Sequence, residues 1–316
     1  MKAKLFILSQ ILCIISCAVG SIQQIININF NTNLQFTMYF FFYSFQLCMF
    51  VIKQNRTDIT RKLFIQTFAL GLFDCCVNAC CAQAYAYVNM ANVSILLCLV
   101  APFSMIFGKF ILKATYNFKQ LAAAFVTIIF AIAFTLLDIS EGESKNKLLG
   151  DSLAIIAALG YSLDSTISEI LSKNVPTQRY ISLMAIGGWS LSLILMLSFN
   201  VKHFNKTPWQ SFILFIPLSI LQQCYQFLQI FITQKSSAVT YNLSTLCTNF
   251  YSFATALFIL NSKMNFVQII FGLGIVFGVV VFFVGGENGV EGSGIGRVKE
   301  EADVGVALTE SQLGEK

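Results

Sequence analysis

Ten stretches of roughly 20 mostly apolar residues follow one another along this chain, each long enough to cross a hydrocarbon layer about 30 Å thick as a helix. They run over 5–26, 34–52, 63–86, 91–111, 118–137, 149–172, 180–200, 210–233, 238–260 and 264–285, with charged and Asn-rich segments between them. With a mean hydropathy of +0.73 and only 11% charged side chains over 316 residues, against about 25% in soluble domains, the chain has too little polar surface for water to hold it. Inside a bilayer every backbone N–H and C=O must be satisfied within the spanning structure, and only 4 prolines interrupt the runs. The expected fold class is therefore an all-α integral membrane protein with ten transmembrane helices. Lys2 and Lys4 ahead of an apolar run that reaches Ala18-Val19-Gly20 also fit a cleavable signal peptide, whose loss would leave nine spans.

Charge sets the expected orientation. Lys2, Lys4, Lys53, Arg56, Arg61, Lys62, Lys109, Lys113, Lys119, Lys173, Arg179 and Lys235 fall on one side of the alternating loops, and Lys145, Lys147, Lys202, Lys206 and Lys263 on the other. Basic loops stay cytosolic, so both termini are expected in the cytosol, in a multi-pass protein of the plasma membrane or an endomembrane. The formal charge of +5 belongs to these loops and not to a basic stripe with interleaved aromatics, so nucleic acid is not an expected partner. Residues 287–316, Gly-rich and acidic, read as a disordered cytosolic tail.

An internal repeat divides the rest. Phe110-Ile111-Leu112-Lys113-Ala114-Thr115-Tyr116-Asn117-Phe118-Lys119-Gln120 returns 148 residues later as Phe258-Ile259-Leu260-Asn261-Ser262-Lys263-Met264-Asn265-Phe266-Val267-Gln268, with six of eleven positions identical. Each copy joins the fourth and fifth helix of a set of five, and an odd number of spans turns the second set upside down. Residues 1–137 and 138–286 are thus expected as two inverted five-helix repeats, an arrangement in which secondary transporters place a site near the midplane.

An ionisable side chain at the centre of a spanning helix costs about 2.5–3.5 kcal/mol on insertion scales, so those that occur face protein or water and mark function. Asp74 lies about 17 Å along helix 3 from its cytosolic start, near the midplane; it is either a pocket carboxylate or an anchor bonded to Asn78 or a neighbouring helix. Asp164, with no cation near it in sequence, is the candidate for proton or cation coupling. Glu169 and Lys173 have the i, i+4 spacing of an ion pair and form either a latch at the membrane surface or an inside gate. Asn89, Asn92 and Ser94 on helix 4, Thr240, Asn242 and Ser244 on helix 9, and Gln222, Gln223, Gln226 and Gln229 on helix 8 offer uncharged hydrogen bonds to a solute or to one another. Tyr85, Tyr161, Tyr225, Tyr241 and Tyr251 could stack on a planar solute or anchor helix ends. Most of the 10 cysteines lie inside apolar runs without a Cys-x-x-Cys unit and read as small packing residues. The glycines at 272, 274 and 278 sit within a helix and read as a close-packing face.

The order of short pieces along the chain resembles the drug/metabolite transporter superfamily, and within it the F-type members of solute carrier family 35. The carrying residues are Gly71-Leu72-Phe73-Asp74 with Asn78 and Ala84-Tyr85, Pro102, Gly150-Asp151, Tyr161, Glu169 with Lys173, Asn242-Leu243, and Tyr251-Ser252. Ser168-Glu169 departs from the two consecutive acidic residues usual in that pattern. The resemblance implies ten helices in two halves, a pocket between them, and alternating access, and fixes no substrate.

The expected function is secondary transport of a small polar organic solute, with Asp74, Asn78, Tyr85, Asn92, Tyr161, Asp164, Asn242 and Tyr251 as candidates for substrate binding or coupling and Glu169 and Lys173 as gate or ion pair. Partners are the solute and the lipid bilayer, with self-association as a homodimer left open; no metal or cofactor is expected. Since no basic residue lies near mid-membrane to meet phosphate, a neutral or cationic solute is favoured over a nucleotide sugar. A nucleotide-sugar antiporter and a non-transporting receptor or scaffold are the alternatives. The one His, His203, and the lack of H-E-x-x-H or G-x-S-x-G speak against an enzyme.

Overall fold

The computed structural model describes residues 2–30, 34–48, 59–88, 92–93, 96–139, 146–200, 209–245, 248, 251 and 266–285. Most of these residues are helical and none forms a strand: α1 (Lys2–Phe30), α2 (Gln35–Cys48), α3 (Arg61–Tyr87), α4 (Val100–Ile111), α5 (Phe118–Ile139), α6 (Lys147–Ser172), α7 (Thr177–Leu195), α8 (Trp209–Lys235), α9 (Ala238–Ser244) and α10 (Phe266–Gly285). Among the described residues four helical stretches are long and apolar enough to cross a membrane: Arg61–Tyr87, Lys147–Ser172, Thr177–Asn200 and Phe212–Lys235. Residues 49–52, 252–260 and 264–265 of the expected spans, Asn89, Ser94, His203 and the tail from 287 lie outside the described residues, as do the loop basics at 53, 56, 145, 202, 206 and 263.

Local chemistry sets several helix ends. The Thr60 hydroxyl accepts from the Leu63 N–H at 3.3 Å and caps α3. Asn117 and Gln120 exchange bonds, each side-chain oxygen accepting from the other's backbone N–H at 3.0 Å, which closes a capping box at the start of α5. Those two residues are among the repeated ones, returning as Asn265 and Gln268. The fourth expected span, 91–111, is not one continuous α-helix: Leu97–Leu99 form a 3-10 turn that leads into α4. Pro102 explains the boundary, because it has no N–H to give an upstream carbonyl and is tolerated in a first turn. α7 ends earlier than 200 as an α-helix and continues as a π-helical turn over Met196–Asn200, where Asn200 Nδ2 donates to Thr37 Oγ1 of α2 at 3.1 Å.

Packing places α3 between α6 and α7, α1 against α8, α2 against α7 and α8, α4 against α6 and α9, and α5 against α10. The α3–α7 approach is set by two glycines, for a Cβ at Gly71 would meet the Met184 carbonyl and one at Gly187 the Phe68 carbonyl. Trp189 of α7 donates from Nε1 to Ser44 Oγ of α2 at 3.2 Å. Around the outside, Phe118, Leu121 and Phe125 of α5 and Phe266, Leu273 and Phe277 of α10 stay exposed, an apolar surface that suits lipid rather than water. The cysteines among the described residues are free thiols, most of them buried or partly buried, with Cys48, Cys76 and Cys224 exposed.

Candidate functional site

Six helices leave a cavity of about 140 Å³ between them. α1 presents Ser16, Gly20 and Gln23; α2 Tyr39; α3 Asp74, Asn78, Cys81 and Tyr85; α6 Tyr161; α8 Gln222, Tyr225, Gln226 and Gln229; and α9 Tyr241 and Asn242. Leu97 and Val100, at the entry to α4, and Thr245 and Thr248, just beyond α9, complete the wall. Among the described residues the lining holds one carboxylate, Asp74, and no Lys, Arg or His. Its remaining polarity comes from amides, phenols and the hydroxyls of Ser16, Thr245 and Thr248, which hydrogen-bond without bringing charge.

Asp74 is built in from two sides. It is 4% exposed, and its Oδ2 accepts from the Tyr43 hydroxyl of α2 at 2.7 Å. Asn78, one turn along α3, donates to that same phenolic oxygen at 3.2 Å, while its Oδ1 accepts from Tyr161 of α6 at 2.9 Å. The run Tyr161–Asn78–Tyr43–Asp74 ties α6, α3 and α2 together and holds the carboxylate at the cavity wall. Sequence reading anticipated either Asn78 or a neighbouring helix as the partner of Asp74; the direct donor is Tyr43, on a neighbouring helix. On the other side, Tyr225 and Tyr241 share a hydrogen bond at 2.7 Å. Asn242 donates from Nδ2 to Ser165 Oγ of α6 at 2.7 Å and also to Ser104 Oγ of α4.

Of the residues singled out from sequence, Asp74, Asn78, Tyr85, Tyr161 and Asn242 meet at the cavity, as do Gln222, Gln226, Gln229, Tyr225 and Tyr241. Asn92 is buried but outside the lining. Tyr251 also lies elsewhere, its hydroxyl donating to Gln10 Oε1 of α1 at 3.2 Å. Asp164 does not face the cavity; it is 1% exposed behind it. Tyr39, Tyr43 and Gln23 were missed. An aromatic run such as Tyr39-Phe40-Phe41-Phe42-Tyr43 does not say which ring faces a carboxylate on another helix.

Glu169 lies at the Lys173 end of α6, away from the cavity. Its Oε1 meets Lys173 Nζ at 2.7 Å, and its Oε2 accepts from the Ala238 N–H at 2.7 Å. Ala238 opens α9, so a fully buried carboxylate sits at the positive end of that helix. Gln234, near the end of α8, donates to the carbonyls of Ser172 and Val175 at 2.7 and 2.9 Å and accepts from Thr177. Together these bonds clamp α6, α8, α9 and the start of α7 at one end of the bundle. Tyr116, in the turn before α5, has its phenol pushed up by burial and then by the Glu169 charge, so it stays neutral at physiological pH. Among the described residues no three His, Cys, Asp or Glu side chains come together as a metal site.

Comparison with known proteins gives this geometry a context. The family model for solute carrier family 35 of the SLC35F type matches residues 2–284. The chain is 25% identical to solute carrier family 35 member F2 of Mus musculus over 293 residues, covering 88% of this chain and 78% of that protein. It is 22% identical to the Xenopus tropicalis protein of the same name over 294 residues, covering 87% and 75%. An uncharacterized solute carrier family 35 member of Schizosaccharomyces pombe is 26% identical over 227 residues, covering 68% of this chain and 43% of that one. A protein crystal structure superposes with a TM-score of 0.65 at 13% identity, covering 89% of this chain and 98% of that one. At that identity the likeness speaks to fold alone.

Proposed function

Because the chain belongs to the SLC35F branch of solute carrier family 35, and is thus an integral membrane solute carrier, we propose that it moves a small polar organic solute, neutral or cationic, by alternating access through the cavity beside Asp74. The composition of the lining carries this reading: one carboxylate, a ring of amides and tyrosines, and no basic side chain among the described residues. Phenol faces and a carboxylate favour a cation, amides serve a neutral hydrogen-bonding group, and neither set compensates phosphate. A nucleotide-sugar antiporter is accordingly the weaker reading. A receptor or scaffold would have no need of a buried polar cavity whose lining groups cost stability unless they are used.

Support for two inverted halves comes from how the helices pair. If α1–α5 and α6–α10 correspond, then α3 on α6 and α7 is the counterpart of α8 on α1 and α2, while α4 with α9 and α5 with α10 pair across the repeat. In this reading residues 1–137 and 138–286 rock about the cavity, Asp74, Asn78, Tyr85, Tyr161 and Asn242 contact the solute, and the Glu169–Lys173–Ala238 clamp is the shut gate. The basic loops put that gate, and both termini, at the cytosolic face.

Uptake by proteoliposomes tests it, with labelled nucleobases, vitamins, amines and nucleotide sugars offered to wild type and to Asp74→Asn. The expected result is uptake of a neutral or cationic solute that Asp74→Asn abolishes or weakens. Preference for a nucleotide sugar, or no movement of any solute by folded protein, would overturn the proposal.

A further inference from the structure

Helix α6 carries a row of buried polar side chains between the cavity and the clamp. Tyr161 lines the cavity, and Asp164, Ser165, Ser168, Glu169 and Ser172 follow at one-turn steps, each 1% exposed or less. From Asp164 to Ser172 this spans about 12 Å along the helix axis. Side chains of this kind inside a bilayer normally earn their place by pairing, and most here do: Ser165 accepts from Asn242, Ser168 accepts from Tyr180 at 2.9 Å, and Glu169 is clamped.

Asp164 is different. Its Oδ1 has no hydrogen-bond partner among the described residues. Among the described residues the ionisable groups around it include Asp74 of α3, whose charge acts on it, and Tyr180 of α7 and Tyr241 of α9, on which Asp164 acts; none of these is a cation. On the other helices that touch α6, Lys109, Lys119 and Lys235 sit at the ends of α4, α5 and α8, and Tyr225 of α8 faces the cavity. A bare carboxylate oxygen in such a place, with another carboxylate for company, would pay the full penalty of an unpaired buried charge. A carboxylic acid would not.

Building on the transport reading above, we propose that Asp164 is the proton site of a proton-coupled cycle: it holds a proton while the Glu169 end is shut and releases it along the α6 row when that end opens. A proton arriving through the cavity rests on Oδ1. Parting of α6 from α9 at Glu169 and Ala238 admits water to Ser168 and Ser172; the O–H bond of Asp164 breaks, the proton leaves as hydronium, and the carboxylate remains until the cycle returns a proton to it. One proton therefore crosses with the solute in each turn.

The decisive experiment reads the proton without needing a solute. Infrared spectra of the full chain in liposomes at neutral pH should show the C=O stretch of a protonated carboxylic acid in wild type and in Asp74→Asn; Asp164→Asn should lose it and Asp164→Glu should keep it. Absence of the band in wild type, or its persistence in Asp164→Asn, overturns the proposal. A second arm uses whichever solute of the panel the wild type exchanges: Asp164→Asn should keep solute-for-solute exchange and lose accumulation driven by an imposed pH gradient, down to the level of protein-free liposomes. Wild-type accumulation that ignores the gradient would also overturn the coupling. If no panel solute moves at all, the transport reading fails while the infrared result still decides whether Asp164 carries the proton.

Discussion

Tyr43 and Asp74 come from different helices and meet at 2.7 Å, with the phenol donating to a carboxylate that is 4% exposed at the cavity wall. The same phenolic oxygen accepts from Asn78 at 3.2 Å. Tyr43 itself is fully buried and packs on Gly188 of α7. One side chain thus positions the cavity's carboxylate and fills the seam between α2 and α7.

Tyr43→Phe keeps the ring and removes the donor. Stability should fall by about 1–3 kcal/mol, the cost of leaving a buried acceptor without its partner, seen as a lower unfolding temperature in detergent. Solute uptake should fall with it, whereas Asp74→Asn should lose uptake with a smaller loss of stability.

Lys173→Met leaves Glu169 buried without its cation, with the Ala238 N–H still donating to it. We expect a loss of about 2–3 kcal/mol, below the range for a fully buried pair because Lys173 is 19% exposed. Adding Glu169→Gln to Lys173→Met should restore part of that loss, and a double-mutant cycle on thermal unfolding measures how much. A loss in the double variant equal to the sum of the two single losses would mean that the pair contributes nothing as a pair.

Gly71→Ala and Gly187→Ala each drive a methyl group into a backbone carbonyl of the facing helix. Overpacking of this kind costs about 1–3 kcal/mol, and the two should be less than additive, because either one already separates α3 from α7. Unfolding temperatures of the three proteins read this directly.

Asn117→Ala opens the capping box of α5, and a loss of about 1 kcal/mol is expected. Asn117→Asp or Asn117→Ser should retain most of the stability, since the requirement is an oxygen that accepts the Gln120 N–H.

The all-helical character was legible in the sequence because hydrophobic length is the main demand a bilayer makes. Within the repeated segment, Asn117 and Gln120 of the first copy have a structural role as the two halves of a cap, which Phe content does not explain. The break before α4 was not legible, since Leu96 to Ala101 is as apolar as any continuous helix and only Pro102 hints at a start. Asp74, Asn78, Tyr161 and Asn242 stood out as polar residues in apolar runs, and they come together. Asn92 and Tyr251 stood out for the same reason but point elsewhere, because composition does not reveal which face of a helix meets which neighbour. Tyr43 was hidden among aromatic neighbours, and the Ala238 backbone donor to Glu169 has no side-chain signature at all.

The free thiols have a practical consequence. Cys76 on α3 and Cys224 on α8 are exposed on two of the helices whose other faces line the cavity, while Cys13, Cys75, Cys81 and Cys98 are shielded by burial. With Cys48, the exposed thiol of α2, replaced by Ser, thiol-directed spin labels at Cys76 and Cys224 report the separation of α3 and α8, and changes in that distance on adding solute can be followed.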